Sequence, residues 1–332
     1  MSLLERMVHE RLRSGPLDKS GKTGPKPRRG ENIFPDPTEP RSFEEIIGQD
    51  LATDMLAAAV RSSIQSGQRL PHTLLACGSP GVAKSTMARI LAYQRRVGLT
   101  EVSGQVTADE ALAALKGMKP FDVLLVEEAH RLGRGGEWLL HLMQDGRMVT
   151  PAGVHQVPDV TVVATTTDLG RLPQAIISRF RLRPAIVDID DDSIQLITYS
   201  FVERMGLTLT DEQVRRVATA ACYAPRSARA LLDVVAVYIS DPEFDGDPVD
   251  KALAVTQTTS EGLTLVQQNY LKVLGVLNGG SASLSTLSAM LNEPTLNHIE
   301  QNLLRLGLVQ IAPGGRRITD RGITTLEGLL DH

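Results

Sequence analysis

Between the apolar run Thr73-Leu74-Leu75-Ala76-Cys77 and the helix-periodic stretch Met87-Ala88-Arg89-Ile90-Leu91-Ala92 lies Gly78-Ser79-Pro80-Gly81-Val82-Ala83-Lys84-Ser85-Thr86. A buried strand that turns through small residues straight into a helix commits the chain to an α/β layer fold. It also lines the turn with exposed backbone N–H groups at the positive end of a helix dipole, a cradle for polyphosphate. Lys84 places a point charge on the β- and γ-phosphates, and the Ser85 hydroxyl is a ligand for Mg²⁺. The pattern G-x-x-x-x-G-K-[ST] has glycine where this chain has Ala83. A methyl group is the smallest possible intrusion there, so the expectation is a site weakened at most.

Further strand-like runs at Asp122–Val126 and Val160–Ala164 alternate with helical patterns, which predicts a parallel sheet covered on both faces. Ligands of such sheets gather at the carboxyl ends of the strands. The second strand ends in Glu127-Glu128, the first placed to hold a metal shell and the second to polarise an attacking water. The third ends in hydroxyls, of which Thr166 is the candidate to bond the lytic water or the γ-phosphate. Arg179 follows a short helical segment and suits a charge donated across a subunit interface; a surface salt bridge is the competing reading. Arg226 opens a later helix, from which it could reach the γ-phosphate and tie nucleotide state to domain angle.

Composition limits the alternatives. Aromatic residues make up 4% of the 332, too few for base stacking as the main mode of nucleic-acid contact. The net charge of −4 conceals eight cations against three carboxylates in residues 1–30, so any nucleic-acid contact rests on local patches. Two cysteines, Cys77 and Cys222, make no disulfide framework. No signal peptide or membrane-length apolar run is present in this sequence, and the expected location is cytoplasmic.

Four segments follow. Residues 1–41 read as a flexible basic tail, residues 42–186 as the sheet domain, and residues 187–258 as an all-helical lid with helices over Ser193–Met205, Asp211–Cys222 and Ser227–Ile239. Residues 259–332 carry three helical patterns (Leu265–Leu277, Leu284–Leu291, Thr295–Leu306) and a hairpin around Pro313-Gly314-Gly315, a winged-helix arrangement.

In this order the motifs resemble the AAA+ ATPases and, within them, the RuvB-like Holliday-junction branch-migration motors. The strings that carry the resemblance are Phe43-Glu44-Glu45-Ile46-Ile47-Gly48-Gln49, Glu127-Glu128-Ala129-His130-Arg131-Leu132, Ala164-Thr165-Thr166, Ser178-Arg179-Phe180, Pro225-Arg226, Leu304-Arg305-Leu306-Gly307-Leu308 and Ile318-Thr319-Asp320-Arg321. The resemblance spans roughly residues 41–325. It implies ATP and Mg²⁺ as cofactors, an adenine pocket at Ile47 and Gly48, and a homo-oligomeric, hexameric ring around duplex or four-way-junction DNA. It further implies Arg179 acting on a neighbouring subunit's ATP, and Lys84, Ser85, Glu127, Glu128, Thr166 and Arg226 in the roles above. Arg305, Arg316, Arg317 and Arg321 are then the candidate DNA phosphate contacts of the winged helix; protein contact alone is the competing use of that module. Asp145–Val157 reads as a short hairpin where the family carries a longer insertion that docks its partner RuvA, so RuvA-like docking is not expected to follow the family pattern. The leading expectation is an ATP-hydrolysing motor that moves duplex DNA and migrates four-way junctions in recombination and repair. An ATP-dependent loader of another protein on DNA and a non-hydrolysing, nucleotide-dependent scaffold are the alternatives.

Overall fold

The computed structural model describes residues 33–36, 38–277, 281–294 and 296–330; the basic cluster of residues 1–30 lies outside the described residues, as does the expected helix break at Asn278-Gly279-Gly280. The chain divides into two compact units, the first ending at Gly206 and the second beginning at Leu207.

The first unit is built on a parallel sheet of four strands, β1 (Thr73–Ala76), β2 (Leu99–Ser103), β3 (Val123–Glu127) and β6 (Thr161–Thr166), in the order β1-β6-β3-β2. Beyond β1, the single parallel bridge Thr73↔Leu182 continues the edge. Because side chains of a strand alternate between faces, each strand feeds two cores. Leu74, Leu124, Val126 and Val162 pack with Leu112, Leu115, Trp138, Leu139 and Phe180 on one side. Leu75, Val123, Leu125 and Val163 pack with Leu56, Val60, Met87, Ile90 and Leu91 on the other. The helices supplying these faces are α1 (Asp50–Ser66), α2 (Lys84–Arg95), α3 (Ala108–Leu115) and α4 (Glu137–Asp145). Helix α3 opens on a reciprocal capping box between Thr107 and Glu110. After α4 the chain makes the expected hairpin, β4 (Arg147–Thr150) with β5 (Gly153–Gln156), before β6 and the single-turn α5 (Gln174–Ile177).

His72, just ahead of β1, is 6% exposed and its Nδ1 accepts the Val162 N–H at 2.9 Å. Burial, reinforced by the charge of Arg69, pulls its imidazole down from 6.5 to about 4.

Two expectations about boundaries change. Ile33 and Phe34 are buried against the α1–α2 core, with Phe34 edge-on to Tyr93 at 5.3 Å, so the folded chain is already under way at residue 33 rather than 42. These two apolar side chains are the reason: at the end of a polar, proline-rich segment they have a hydrophobic face to join. Helix α6 (Asp191–Met205), expected in the lid, belongs to the first unit, where Arg204 donates to the Thr38 carbonyl and pairs with Glu45 at 2.9 Å.

In the second unit α7 (Asp211–Ala220), α8 (Pro225–Ser240) and α9 (Pro248–Val255) precede α10 (Leu265–Val276), β7 (Ser281–Ala282), α11 (Leu284–Leu291), α12 (Asn297–Arg305), β8 (Val309–Ala312), β9 (Gly315–Ile318) and α13 (Asp320–Leu330). A three-stranded sheet in the order β7-β9-β8 forms the wing. One core, including Tyr270, Leu271, Leu274, Leu287, Leu303 and Leu326, joins α10 to α13. Helix α9 is not among the helices expected in residues 187–258, and it starts where Asp247 accepts from the N–H groups of Val249 and Asp250. The helical part and the winged helix touch closely: Gly262 sits at φ +85°, and a Cβ there would meet the Ala220 carbonyl oxygen at 2.6 Å.

Candidate functional site

The register of the sheet brings the catalytic candidates of the first unit together. Ala76 lies beside Thr166 and Val126 beside Ala164, so the ends of β1, β6 and β3 fall at one level. From that level emerge the loop Gly78–Ala83, the pair Glu127-Glu128 and the hydroxyls Thr166 and Thr167.

The loop turns through two left-handed residues, Gly81 at φ +79° and Ala83 at φ +63°. The second explains why the motif has glycine at this position: an L-residue there carries a steric cost of roughly 1 kcal/mol. The departure at residue 83 is therefore a backbone matter and not an intrusion of the methyl into the phosphate cradle. Lys84 begins α2, is 7% exposed, and holds its Nζ over the loop with bonds to the Cys77 carbonyl at 3.0 Å and the Ser79 carbonyl at 2.8 Å. Val82 is buried, whereas Gly78 and Pro80 are exposed on the rim and Ser85 and Thr86 are half-buried in the first turn of the helix. Ser79 donates to Asp188 Oδ1 at 2.5 Å, tying the loop to the segment that leads into α6.

That segment also meets the residues expected to contact adenine. Gln49 is 2% exposed and exchanges two hydrogen bonds with the Val187 backbone, Nε2 to the carbonyl at 2.8 Å and N–H to Oε1 at 3.1 Å. Ile47 is buried beside it, and Gly48 takes φ +77° where a Cβ would meet Ser193 Oγ at 2.7 Å.

At the end of β3, Glu127 is half-buried and Glu128 turns out of the strand at φ +52°. Glu128 Oε2 stands 3.3 Å from His130 Nε2 and accepts from the Thr167 hydroxyl at 3.4 Å. Thr166 is fully buried: its hydroxyl lies 3.1 Å from His130 Nδ1 and accepts the Asp168 N–H. In this arrangement the hydroxyl that faces Glu128 is that of Thr167, and Thr166 meets Glu128 through an imidazole. The oxygen set of Ser85 and Glu127 suits a hard divalent cation such as Mg²⁺, which would screen charge on the phosphates when bound.

Arg179 is exposed beside buried Phe180, and its Nη2 donates to Gln144 Oε1 at 2.8 Å. In the second unit Arg226 is exposed in the first turn of α8, after Pro225. A cation at the positive end of a helix adds to the field that an anion feels there.

The winged-helix arginines separate into two kinds. Arg316 grips Glu300, which is 3% exposed, through Nε at 3.1 Å and Nη2 at 2.9 Å, and the Tyr270 hydroxyl donates to the same carboxylate at 2.6 Å. Burial and that carboxylate push the Tyr270 hydroxyl strongly up. Arg305 lies 3.9 Å over the ring of Tyr223, which together with Cys222 forms a consecutive left-handed pair at φ +64° and +53°. Both arginines therefore have protein partners, and Arg305 remains exposed beside its ring. Arg316 turns inward because it shares the face of buried Ile318 on β9; the neighbouring Arg317 points the other way and is exposed, as is Arg321.

With this geometry in view, residues 38–186 match the family described as Holliday junction DNA helicase RuvB P-loop domain, and residues 260–327 match RuvB C-terminal winged helix domain. The Holliday junction branch migration complex subunit RuvB of Prochlorococcus marinus is 31% identical over 317 residues, 90% of each chain. The chain belongs to the RuvB family. A Synechococcus RuvB is 29% identical over 93% of this chain and 94% of its own. A solved structure of RuvB from Thermotoga maritima superposes with a TM-score of 0.77 at 26% identity, covering 87% of this chain and 98% of that one. Membership in the RuvB family makes this a nucleotide-binding ATP hydrolase of the AAA+ class. His130, Thr167, Asp188 and Gln144 are the site residues that reading the sequence did not assign. His130 carried a signal as part of the RuvB-like string Glu127–Leu132, and Thr167 as one of the hydroxyls that end the third strand.

Proposed function

We propose that this protein is an ATP-driven motor that migrates four-way DNA junctions. ATP binds across Gly78–Thr86 with its adenine against Ile47 and Gly48, Lys84 on the β- and γ-phosphates, and Mg²⁺ held by Ser85 and Glu127. Glu128 orients the water that attacks the γ-phosphate in line, and ADP leaves with the displaced oxygen. Arg179 reaches the ATP of an adjoining copy in a hexameric ring, and Arg226 links the same phosphate to the second unit. Arg317 and Arg321 touch DNA phosphates from the winged helix. No helix among the described residues is long and apolar enough to cross a membrane.

The observation that carries this reading is the convergence of Lys84, Glu127, Glu128 and the β6 hydroxyls at one edge of the sheet, in a chain similar almost end to end to RuvB subunits. The loader alternative has no comparable support, because the relatives are named for branch migration and match over nearly their whole length. The short β4–β5 hairpin leaves the identity of an adaptor separate from the motor itself.

The deciding experiment is strand exchange on a synthetic four-way junction with ATP, run beside phosphate release. Wild type is expected to resolve the junction into duplex products with turnover raised by junction DNA. Glu128→Gln is expected to lose turnover by about 10²–10⁴-fold while still binding ATP. Equal turnover in the two proteins would overturn the assignment.

A further inference from the structure

His130 stands between the two groups on which hydrolysis depends. It occupies the single 3₁₀ turn Ala129–Arg131 that follows the left-handed Glu128, with Ala129 buried. That turn folds the imidazole back beneath the end of β6, where its side chain is 9% exposed. One ring nitrogen faces the Glu128 carboxylate at 3.3 Å and the other faces the Thr166 hydroxyl at 3.1 Å.

An ionised carboxylate only accepts, so the tautomer that suits Glu128 at 3.3 Å carries its hydrogen on Nε2. In a neutral imidazole Nδ1 is then an acceptor, and Thr166 donates its O–H to it while accepting the Asp168 N–H at 3.1 Å. With that tautomer the Asp168 N–H, Thr166 and His130 form one hydrogen-bonded run, and the imidazole at its end brings Nε2 to 3.3 Å from Glu128. Thr167 donates to the same oxygen, Oε2. The carboxylate oxygen is thus held by one hydroxyl and faced by one ring nitrogen.

We infer that His130 is a positioning residue for ATP hydrolysis: it sets the orientation of Glu128 and passes to it the state of the fully buried Thr166. This inference rests on the role proposed above for Glu128. It departs from the one expected of Thr166 in making the threonine act through the imidazole, without touching phosphate or water. Displacing Asp168 or the end of β6 then shifts the imidazole, and with it the group that faces the Glu128 carboxylate at 3.3 Å.

The test is a double-mutant cycle in the full chain, with kcat and KM for ATP measured on every protein. His130→Ala is expected to lower kcat by about 10²-fold with KM for ATP within about twofold, because the loss is one of orientation. Thr166→Val is expected to lower kcat in the wild-type background and to add little in the His130→Ala background. His130→Asn and His130→Gln each keep one of the two reaches, and neither is expected to restore kcat. Should His130→Ala fail to fold, His130→Gln takes its place in the cycle.

Multiplicative losses from Thr166→Val and His130→Ala would overturn the inference, as would full rescue by either amide. A rise in KM with kcat unchanged would also overturn it. Glu128→Gln serves as the separate control. If it retains wild-type turnover, the proposed role of Glu128 fails; if it is inactive while the cycle is additive, only the role of His130 fails.

Discussion

Glu128 and Glu300 are both carboxylates met by a hydroxyl donor and a nearby nitrogen, yet the two units surround them differently. Glu128 accepts from Thr167 and stands 3.3 Å from a histidine nitrogen, and its side chain keeps 40% of its exposure. Glu300 receives Tyr270 and the bidentate guanidinium of Arg316, and is 3% exposed. The first has no arginine or lysine partner among the described residues and stays open to solvent, as the proposed role requires. The second is neutralised within the fold and ties α10, α12 and β9 together. Hydrogen-bond count does not separate a catalyst from a strut; the charge of the partner and access to solvent do.

The sharpest way to break this comparison is to remove one member of each set. Glu128→Gln is expected to abolish turnover while leaving the unfolding midpoint where it was. Arg316→Ala strands a buried carboxylate and is expected to cost about 3 kcal/mol or more in chemical denaturation. DNA-independent ATP turnover per folded molecule should hold in that variant. If the two variants exchanged these signatures, the contrast would be lost.

Acid titration of stability supplies a slightly smaller effect. His72 resists protonation in the fold, its pKa lying near 4 instead of 6.5. Its contribution is complete above pH 6.5 and disappears as the pH falls toward 4. The expected loss is at most about 3 kcal/mol, and His72→Gln should flatten that limb in denaturant titrations at stepped pH.

Arg317 sharpens the comparison within the wing itself. Arg317→Ala is expected to reduce the slope of log affinity for duplex DNA against log salt by about one, with stability changed by less than about 0.5 kcal/mol. An unchanged slope would remove Arg317 from the DNA interface. Smallest of all, Ala83→Gly relieves the left-handed strain in the phosphate loop, and is expected to raise stability by about 0.5–1 kcal/mol by thermal unfolding.

Legibility in the sequence followed the kind of force at work. The phosphate loop, β3, β6 and their carboxyl-end residues could be read because apolar runs and backbone chemistry act locally. Strand β2 escaped notice because its residues are only partly buried at a sheet edge, and Thr100, Glu101 and Ser103 break the apolar run. The ion pair of Arg316 was foreshadowed in the sequence: on a strand, period two puts Arg316 with Ile318 and Arg317 opposite. Tyr223 beneath Arg305 gave no local sign, since the pairing joins residues 82 positions apart in the chain. The same holds for Gln49 with Val187, separated by 138 positions.

The left-handed pair Cys222-Tyr223 lies just upstream of Arg226 and just beneath Arg305, the last residue of α12. Gly262 presses the neighbouring backbone against Ala220. These contacts all lie inside the second unit, so they brace its helical part against its winged helix. A longer tether near residue 260 would loosen that brace and leave the phosphate loop of the first unit as it is.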